Sequence, residues 1–533
     1  MEKHAKQIFW NTILLTAATL LVRTVGVSFQ VFVSNRAGAE AMGLFSLLSG
    51  VYGFALTLAT SGIHLGVTHL IVDAIGRGQP GRIAPAMRRA TLYALFFGVG
   101  SSLLLSAFAE TVGTVWLKDV RTVSSLRLLA LSLPLISLSS AFGGYFTAVR
   151  RTFKNATVQV FEQAIKIGAT MYLLAAGVAG DVEKTCCALV LGGALAEVAS
   201  FLLNMILFLY DKRRHFPQKS NAEGSRDGIL LLKTSLPVAL TAYARSGLVT
   251  LEHILIPEGL RNSGSSHGAA LVAYGSIHSM ALPIIFYPAA LISSCAGLLV
   301  PEIAECHVRK CTRRIGYMIS RVWWLSLVFS IAVAGILIFF SEEIGETLYP
   351  GTDTGRFIRL LAPLIPIMYI DTATDAVMKG LGEQIYSMKI NIADALISVI
   401  LVWLLIPRYG IEGYLFTIYF SESFNTVLSI SHLLSITSPK IHPVKWVIKP
   451  LLAIVGATTT VHLLLQKSGL QIEPAGLSIA VHILLVLVVY LVLLLLLGGV
   501  DREDAEWFAS LFCKKSRTRS AEGSDENGAA VDS

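Results

Sequence analysis

Ionisable side chains stranded in apolar sequence are the residues here whose chemistry demands an explanation. The stretch "TLLVRTVGVSF", residues 19–29, sets Arg23 inside an apolar run that extends from Phe9 to Val33. A guanidinium near the middle of a membrane span costs from about 3 to over 10 kcal/mol, so it is kept for a purpose. A second arginine, Arg245, stands in "LTAYARSGLVTLEHILI". Facing one water-filled cavity, two guanidiniums would escape most of the desolvation cost and offer forked donors to phosphate oxygens. Arg23 and Arg245, with Glu252 beside the latter, are therefore the expected substrate-binding group for an anion. The structural alternative is that Arg245 pairs with Glu252, two turns further along its own helix.

Other charges are candidates for coupling or for lining a cavity. Glu162 and Lys166 in "VQVFEQAIKI" are one helical turn apart and can neutralise each other. Asp371 and Asp375 in "YIDTATDAVMKG" share that spacing with like charge, so ionising one opposes ionising the other. That arrangement suits proton or sodium coupling or contact with sugar hydroxyls; a wet helix end is the plain alternative. Asp394, Glu197 and Glu422 are single acids in apolar settings, for which buried hydrogen bonding between helices is the ordinary reading. The histidines are scattered, with no HExxH, and the six cysteines form no CxxC, so no metal site or cofactor is expected beyond a coupling H+ or Na+.

The elements that must position these charges are membrane helices. Of 533 residues, 54% are hydrophobic and 15% charged, against about one quarter charged in a soluble domain. The apolar segments are long, not alternating ten-residue strands, so helices cross the bilayer and no barrel does. Fourteen spans are expected, near 9–34, 42–72, 88–109, 123–147, 155–178, 185–210, 229–256, 267–299, 315–340, 357–380, 384–407, 411–436, 444–466 and 474–498. The first run is too long for a signal-peptide core and lacks a cleavage site, so it reads as a retained helix. With an even count both termini share a side. About 27 of the 43 Lys and Arg fall on that side and about 8 on the other, which puts both termini in the cytoplasm and accounts for the net charge of +8 without nucleic acid.

An internal repeat divides the chain. At an offset of 232, "RLLALSLPLI" meets "RLLAPLIPIM", aligning Arg127 with Arg359, Pro134 with Pro366 and Glu162 with Asp394. At an offset of 222, Arg23 falls on Arg245 and Gln30 on Glu252. Both offsets join helices six apart, as in parallel repeats related by an axis along the membrane normal. The expected architecture is an all-α integral membrane protein: an N-terminal lobe at 1–210, a cytoplasmic linker at 211–228, a C-terminal lobe at 229–437, two accessory helices within 438–500, and a disordered tail from 501. Interruptions at "LATSGIHLG" (58–66) and "MALPIIFYPAAL" (280–291) occupy matching second and eighth spans, as expected of a substrate path that bends.

The stretch "LLVRTVGVSFQVFVSNRAGAEAMGLFSLLSGVYGFALTLATSGI" resembles the opening of the stage V sporulation protein B and oligosaccharide flippase family, grouped with lipid II flippases and multidrug and toxin extruders. The likeness runs on through "AVRRTFKNATVQVFEQAIKI" and "GLGEQIYSMKINIADALISVILVWLLIPRYGIEGY", over most of the first 435 residues. It implies a two-lobed, V-shaped flippase of the bacterial plasma membrane, acting as a monomer on an undecaprenyl-pyrophosphate-linked sugar or peptidoglycan precursor by alternating access. Arg23 matches the first-helix arginine of lipid II flippases; Phe29 and Gln30 stand near where a second would follow. The rival readings are a cation-coupled multidrug antiporter of the same superfamily, against which a base in the first helix argues, and a membrane glycosyltransferase or polymerase. The largest outer loop, "SEEIGETLYPGTDTGR", lacks the DxD that a glycosyltransferase would want.

Overall fold

The computed structural model describes residues 2–60, 62–175, 181–215, 227–468, 475–501 and 504. Much of the linker expected at 211–228, nearly all of the tail expected from 501, and Cys513 lie outside them. All regular structure among the described residues is helical, as hydrocarbon requires of a chain that must satisfy its backbone internally. The helices are α1 (Glu2–Thr60), α2 (Ile63–Gly76), α3 (Ile83–Thr111), α4 (Thr122–Ala148), α5 (Thr152–Ala175) and α6 (Val182–His215), followed by α7 (Asp227–Asn262), α8 (His267–Gly275), α9 (Leu282–Phe286) and α10 (Ala289–Val308). Next come α11 (Thr312–Phe339), α12 (Ser341–Leu348), α13 (Thr354–Leu361), α14 (Ile365–Leu381), α15 (Gln384–Tyr409), α16 (Ile411–Ile436), α17 (Lys449–Ser468) and α18 (Ala475–Leu496).

Each of the fourteen expected spans falls on helix. Eleven stretches of the described residues are long and apolar enough to cross a membrane, and the difference in number has physical causes. The first and second spans form one stretch because the only break between them is Gly38, at φ 79°. The eighth span divides at Tyr287–Pro288, between α9 and α10. The remaining three, α5, α7 and α16, carry Glu162 and Lys166, Arg245 and Glu252, and Glu412 and Glu422 inside their apolar sequence.

Both expected interruptions are real. α1 stops at Thr60, and Gly62 takes a left-handed φ of 76° before α2 starts. Between α8 and α9, Ser276–Ala281 widens into a π-helical turn. Such turns favour functional sites because they release backbone groups from the regular ladder.

The repeat has a structural counterpart in ion pairs. Arg127 of α4 pairs with Glu110 of α3 at 3.6 Å, and Arg359 of α13 pairs with Glu342 of α12 at 2.9 Å. Both members are related by the offset of 232, so the same bridge stands in each half of the chain. The fifth and eleventh spans likewise each present a carboxylate to a serine of the next helix: Ser200 donates to Glu162 at 2.9 Å and Ser421 to Asp394 at 2.6 Å.

The N-terminal half (α1–α6) meets the C-terminal half (from α7) along two seams. On one, the later part of α1 lies against α7: Thr250 donates to the Gly50 carbonyl at 2.8 Å, Thr57 to Ser246 at 3.1 Å and Tyr243 to the Leu58 carbonyl at 3.3 Å. Ser235 closes that seam on the Gly62 carbonyl at 2.8 Å. On the other, α1 meets α8, the π turn and α9. Gly43 and Gly275 permit backbone contact there, since a Cβ on Gly43 would lie 2.0 Å from the Leu271 carbonyl oxygen.

Candidate functional site

Arg23 lies 15 residues before the Gly38 turn, about 22 Å along the helix at 1.5 Å per residue. Its guanidinium crosses to the other half and donates to the Phe286 carbonyl at 3.2 Å. That acceptor is available for a local reason: the N–H of Ala290 bonds three residues back, to Tyr287 at 3.3 Å, and not to Phe286. Pro283 does the same one turn earlier. It has no N–H for the Ser279 carbonyl, and Gln30 of α1 fills the vacancy with a 2.7 Å hydrogen bond. Thr24 and Tyr287 share a hydroxyl contact of 2.8 Å, and Tyr369 of α14 caps the Ile285 carbonyl at 2.7 Å while feeling the charge of Arg23. The broken eighth span is thus held by side chains of the first. Arg23 remains exposed and spends one of its five N–H donors on this bond.

Arg245, also exposed, lies in a different set. Its electrostatic partner is Asp394 of α15, which also interacts with Glu252 of α7, Asp371 of α14 and Glu422 of α16. Four helices therefore converge four carboxylates around Asp394, the one that Arg245 faces. No ion pair joins Arg245 to Glu252 among the described residues. Oδ1 of Asp371 is buried there without a hydrogen-bond partner, while Asn425 approaches its other oxygen at 3.5 Å.

Asp371 and Asp375 oppose each other as their spacing suggests, and Asp375 has partners of its own. Lys379, a turn beyond Asp375, pairs with it at 2.6 Å, and Ser387 donates to its other oxygen at 2.7 Å. Asp371 is thus set between Asp375 on its own helix and Asp394 and Glu422 on the neighbouring ones. Glu162 and Lys166 form a third group, in the N-terminal half, where both interact with Glu197. Tyr52 borders that group and is hydrogen-bonded to Ser132 at 2.7 Å.

The structure thus brings Asp394 to Arg245 and to the carboxylates of Glu252 and Asp371, and sets Glu162 and Lys166 each near Glu197. It gives Arg23 and Arg245 separate partners, on α9 and α15 respectively. Gln30, Ser279, Tyr369 and Lys379 were not singled out from sequence as site residues. The proline four residues after Ser279 was the available signal for its free carbonyl. A cavity of about 480 Å3 lies apart from all these groups, lined by His442, Lys445, Lys449 and Asp501. Its cations are already engaged, Lys445 with Asp501 and Asp504 and Lys449 with the Gly498 carbonyl at 2.8 Å.

Known proteins place this geometry in context. The family model described as polysaccharide biosynthesis protein matches residues 8–291, and the MatE model matches residues 263–404. Stage V sporulation protein B of Bacillus subtilis (strain 168) is 25% identical over 416 residues, covering 77% of this chain and 80% of that protein. Among solved structures, lipid II flippase MurJ in an inward closed conformation superposes with a TM-score of 0.68 at 13% identity, over 90% of this chain and 98% of its own. An inward-facing multidrug resistance MATE family transporter of the MOP superfamily gives 0.56 at 15% identity, over 78% and 97%. The two structural likenesses are likenesses of fold.

Proposed function

Because the chain belongs to the polysaccharide biosynthesis protein family, we propose that it is a flippase carrying a lipid-linked oligosaccharide or peptidoglycan precursor, attached through pyrophosphate, across the bacterial plasma membrane. Both termini face the cytoplasm on this reading, as the distribution of Lys and Arg favours, and the halves alternate access as a monomer. The observation that carries the reading is Arg23: an exposed guanidinium with unspent donors, in the first helix, at the seam where the eighth span is broken.

Pyrophosphate oxygens would replace the Phe286 carbonyl as the acceptor for Arg23. A charged acceptor makes a hydrogen bond roughly twice as strong as a neutral one, so ligand binding would loosen the first helix from the eighth. The polyprenyl tail would stay in lipid while the headgroup crosses between the halves. Arg245, held near Asp394, would receive the anion at the expense of that carboxylate. Asp371 and Asp394 would bind the coupling H+ or Na+.

A second reading has its own support. The converging acids of α7, α14, α15 and α16, within and around the part matched by the MatE model, suit a cation-coupled multidrug antiporter. Reconstitution in vesicles with a defined undecaprenyl-pyrophosphate-linked glycan separates the two. Flipping that is lost in Arg23→Ala and Arg245→Ala, with insertion intact, supports the flippase; extrusion of organic cations without flipping supports the antiporter.

A further inference from the structure

At the end of the bundle carrying the Gly38 turn, charged groups bind the halves to each other. The connection between α3 and α4 holds Lys118, Asp119 and Arg121. Lys118 pairs with Glu258 near the end of α7. Asp119, whose side chain is 5% exposed, accepts from Arg121 Nε at 2.9 Å and from the Arg121 backbone N–H at 3.0 Å. Its Oδ2 lies 3.0 Å from Nε2 of His267, the first residue of α8. Arg121 reaches on to Glu40 of α1 at 3.1 Å, and Glu40 also flanks Gly268.

We infer that this cluster is an ionic latch on the gate at that end, with Asp119 its centre and His267 its partner across the seam. The inference rests on the reading that the halves alternate; with both termini cytoplasmic, the latch faces outside. Two of its links, Lys118–Glu258 and Asp119–His267, span the seam, so they must part before that end can open. The other two, Arg121 to Asp119 and Arg121 to Glu40, lie within the N-terminal half and keep Asp119 in place when the seam opens. A buried carboxylate would strand its charge on opening, but Arg121 travels with it. That makes the latch reversible.

Burial pushes the Asp119 carboxyl up, but hydrogen bonds from Arg121 and His267 and the Arg121 charge outweigh it and hold it below its usual range. The contact with His267 therefore crosses the seam on an ionised carboxylate, beside the Lys118–Glu258 pair.

The test uses the full-length protein in lipid nanodiscs, with its six native cysteines replaced and spin labels at Asn35→Cys and Ser265→Cys, both exposed and outside the latch. Lys118→Glu should raise the open population at this end by about fivefold, the upper range for one partly exposed ion pair, and adding Glu258→Lys should close it again. His267→Ala, which removes the second link across the seam, should raise it as well. A charge swap that does not restore closure, or a His267→Ala distance distribution matching the parent's, overturns the latch. No substrate enters the measurement, so a working latch in a protein that flips no glycan would sink the flippase reading alone.

Discussion

Gly43→Ala tests whether the seam between α1 and α8 is sealed by backbone. A methyl at that position would meet Leu271 O at 2.0 Å, its carbonyl carbon at 2.8 Å and its Cα at 3.3 Å. Bringing the first of these to ordinary contact requires about 1.4 Å of retreat. The obstacle is helix backbone, not the end of a flexible side chain, so α8 has to move as a body. Overpacking of this kind costs about 1–3 kcal/mol, and the whole cost falls on the state in which the halves touch. The equilibrium should therefore shift toward opening at this end by about 5- to 150-fold. Gly53→Ala supplies the control, because a Cβ there meets nothing within 4 Å; replacing that helical glycine should be neutral or stabilising by about 0.5–1 kcal/mol. Distances between labels at residues 35 and 265 report the opening, and thermal unfolding reports stability. Gly43→Ala with the parent's distance distribution and the parent's Tm would show that the halves are not sealed by this contact.

Arg23→Lys should lose most glycolipid flipping while still inserting, because a single ammonium replaces a fork suited to two phosphate oxygens; full transport in vesicles would remove Arg23 from the receptor. Pro283→Ala restores an N–H that can take the Ser279 carbonyl from Gln30, so hydrogen–deuterium exchange near residues 279–287 should slow by about fivefold to tenfold, equivalent to one net hydrogen bond. In Asp211→Asn, Arg151 and Lys154 lose a carboxylate that is 1% exposed and bonded to Lys154 at 2.6 Å. Breaking a buried pair costs about 3–5 kcal/mol, so the midpoint of thermal unfolding should fall clearly, and an unchanged midpoint would count against a stabilising role.

The fold was legible because hydrocarbon leaves a chain few choices: long apolar runs became helices, and the Gly and Pro interruptions at 58–66 and 280–291 became breaks. The repeat was legible at Arg127 and Arg359, and the same offset carries Glu110 to Glu342, so the whole bridge was written in the sequence. Pairings were harder to read. The partner of Arg23 is a backbone carbonyl, which has no side-chain signature, and the partner of Arg245 is Asp394, brought near by packing of α7 on α15 and not by spacing. Lys379 could have been found one turn beyond Asp375, where it pairs with that carboxylate. Asp119 lies in a connection and His267 at the very start of the eighth span, places where ordinary solvated charge is the default expectation.

The distribution of charge also bears on which parts can move. Most strong ionic contacts lie within one half: Asp211 with Arg151 and Lys154, Arg127 with Glu110, Arg321 with Asp504, Asp375 with Lys379. Of these, Asp211 and Asp504 are each 1% exposed, and breaking their pairs would strand charge at several kcal/mol each, so each half is disposed to move as a unit. Along the seams the links are mostly hydroxyls and an amide on backbone carbonyls, such as Thr250 on Gly50, Tyr243 on Leu58 and Gln30 on Ser279. These are worth about 0.5–1.5 kcal/mol each and water can replace them when a cleft opens. Arg23 on Phe286 follows the same pattern with a charged donor, which is the arrangement that an entering anion can displace. Among the described residues, an ion pair crosses between the halves only at the Gly38 end, where Lys118 meets Glu258, so that end should be the harder one to open.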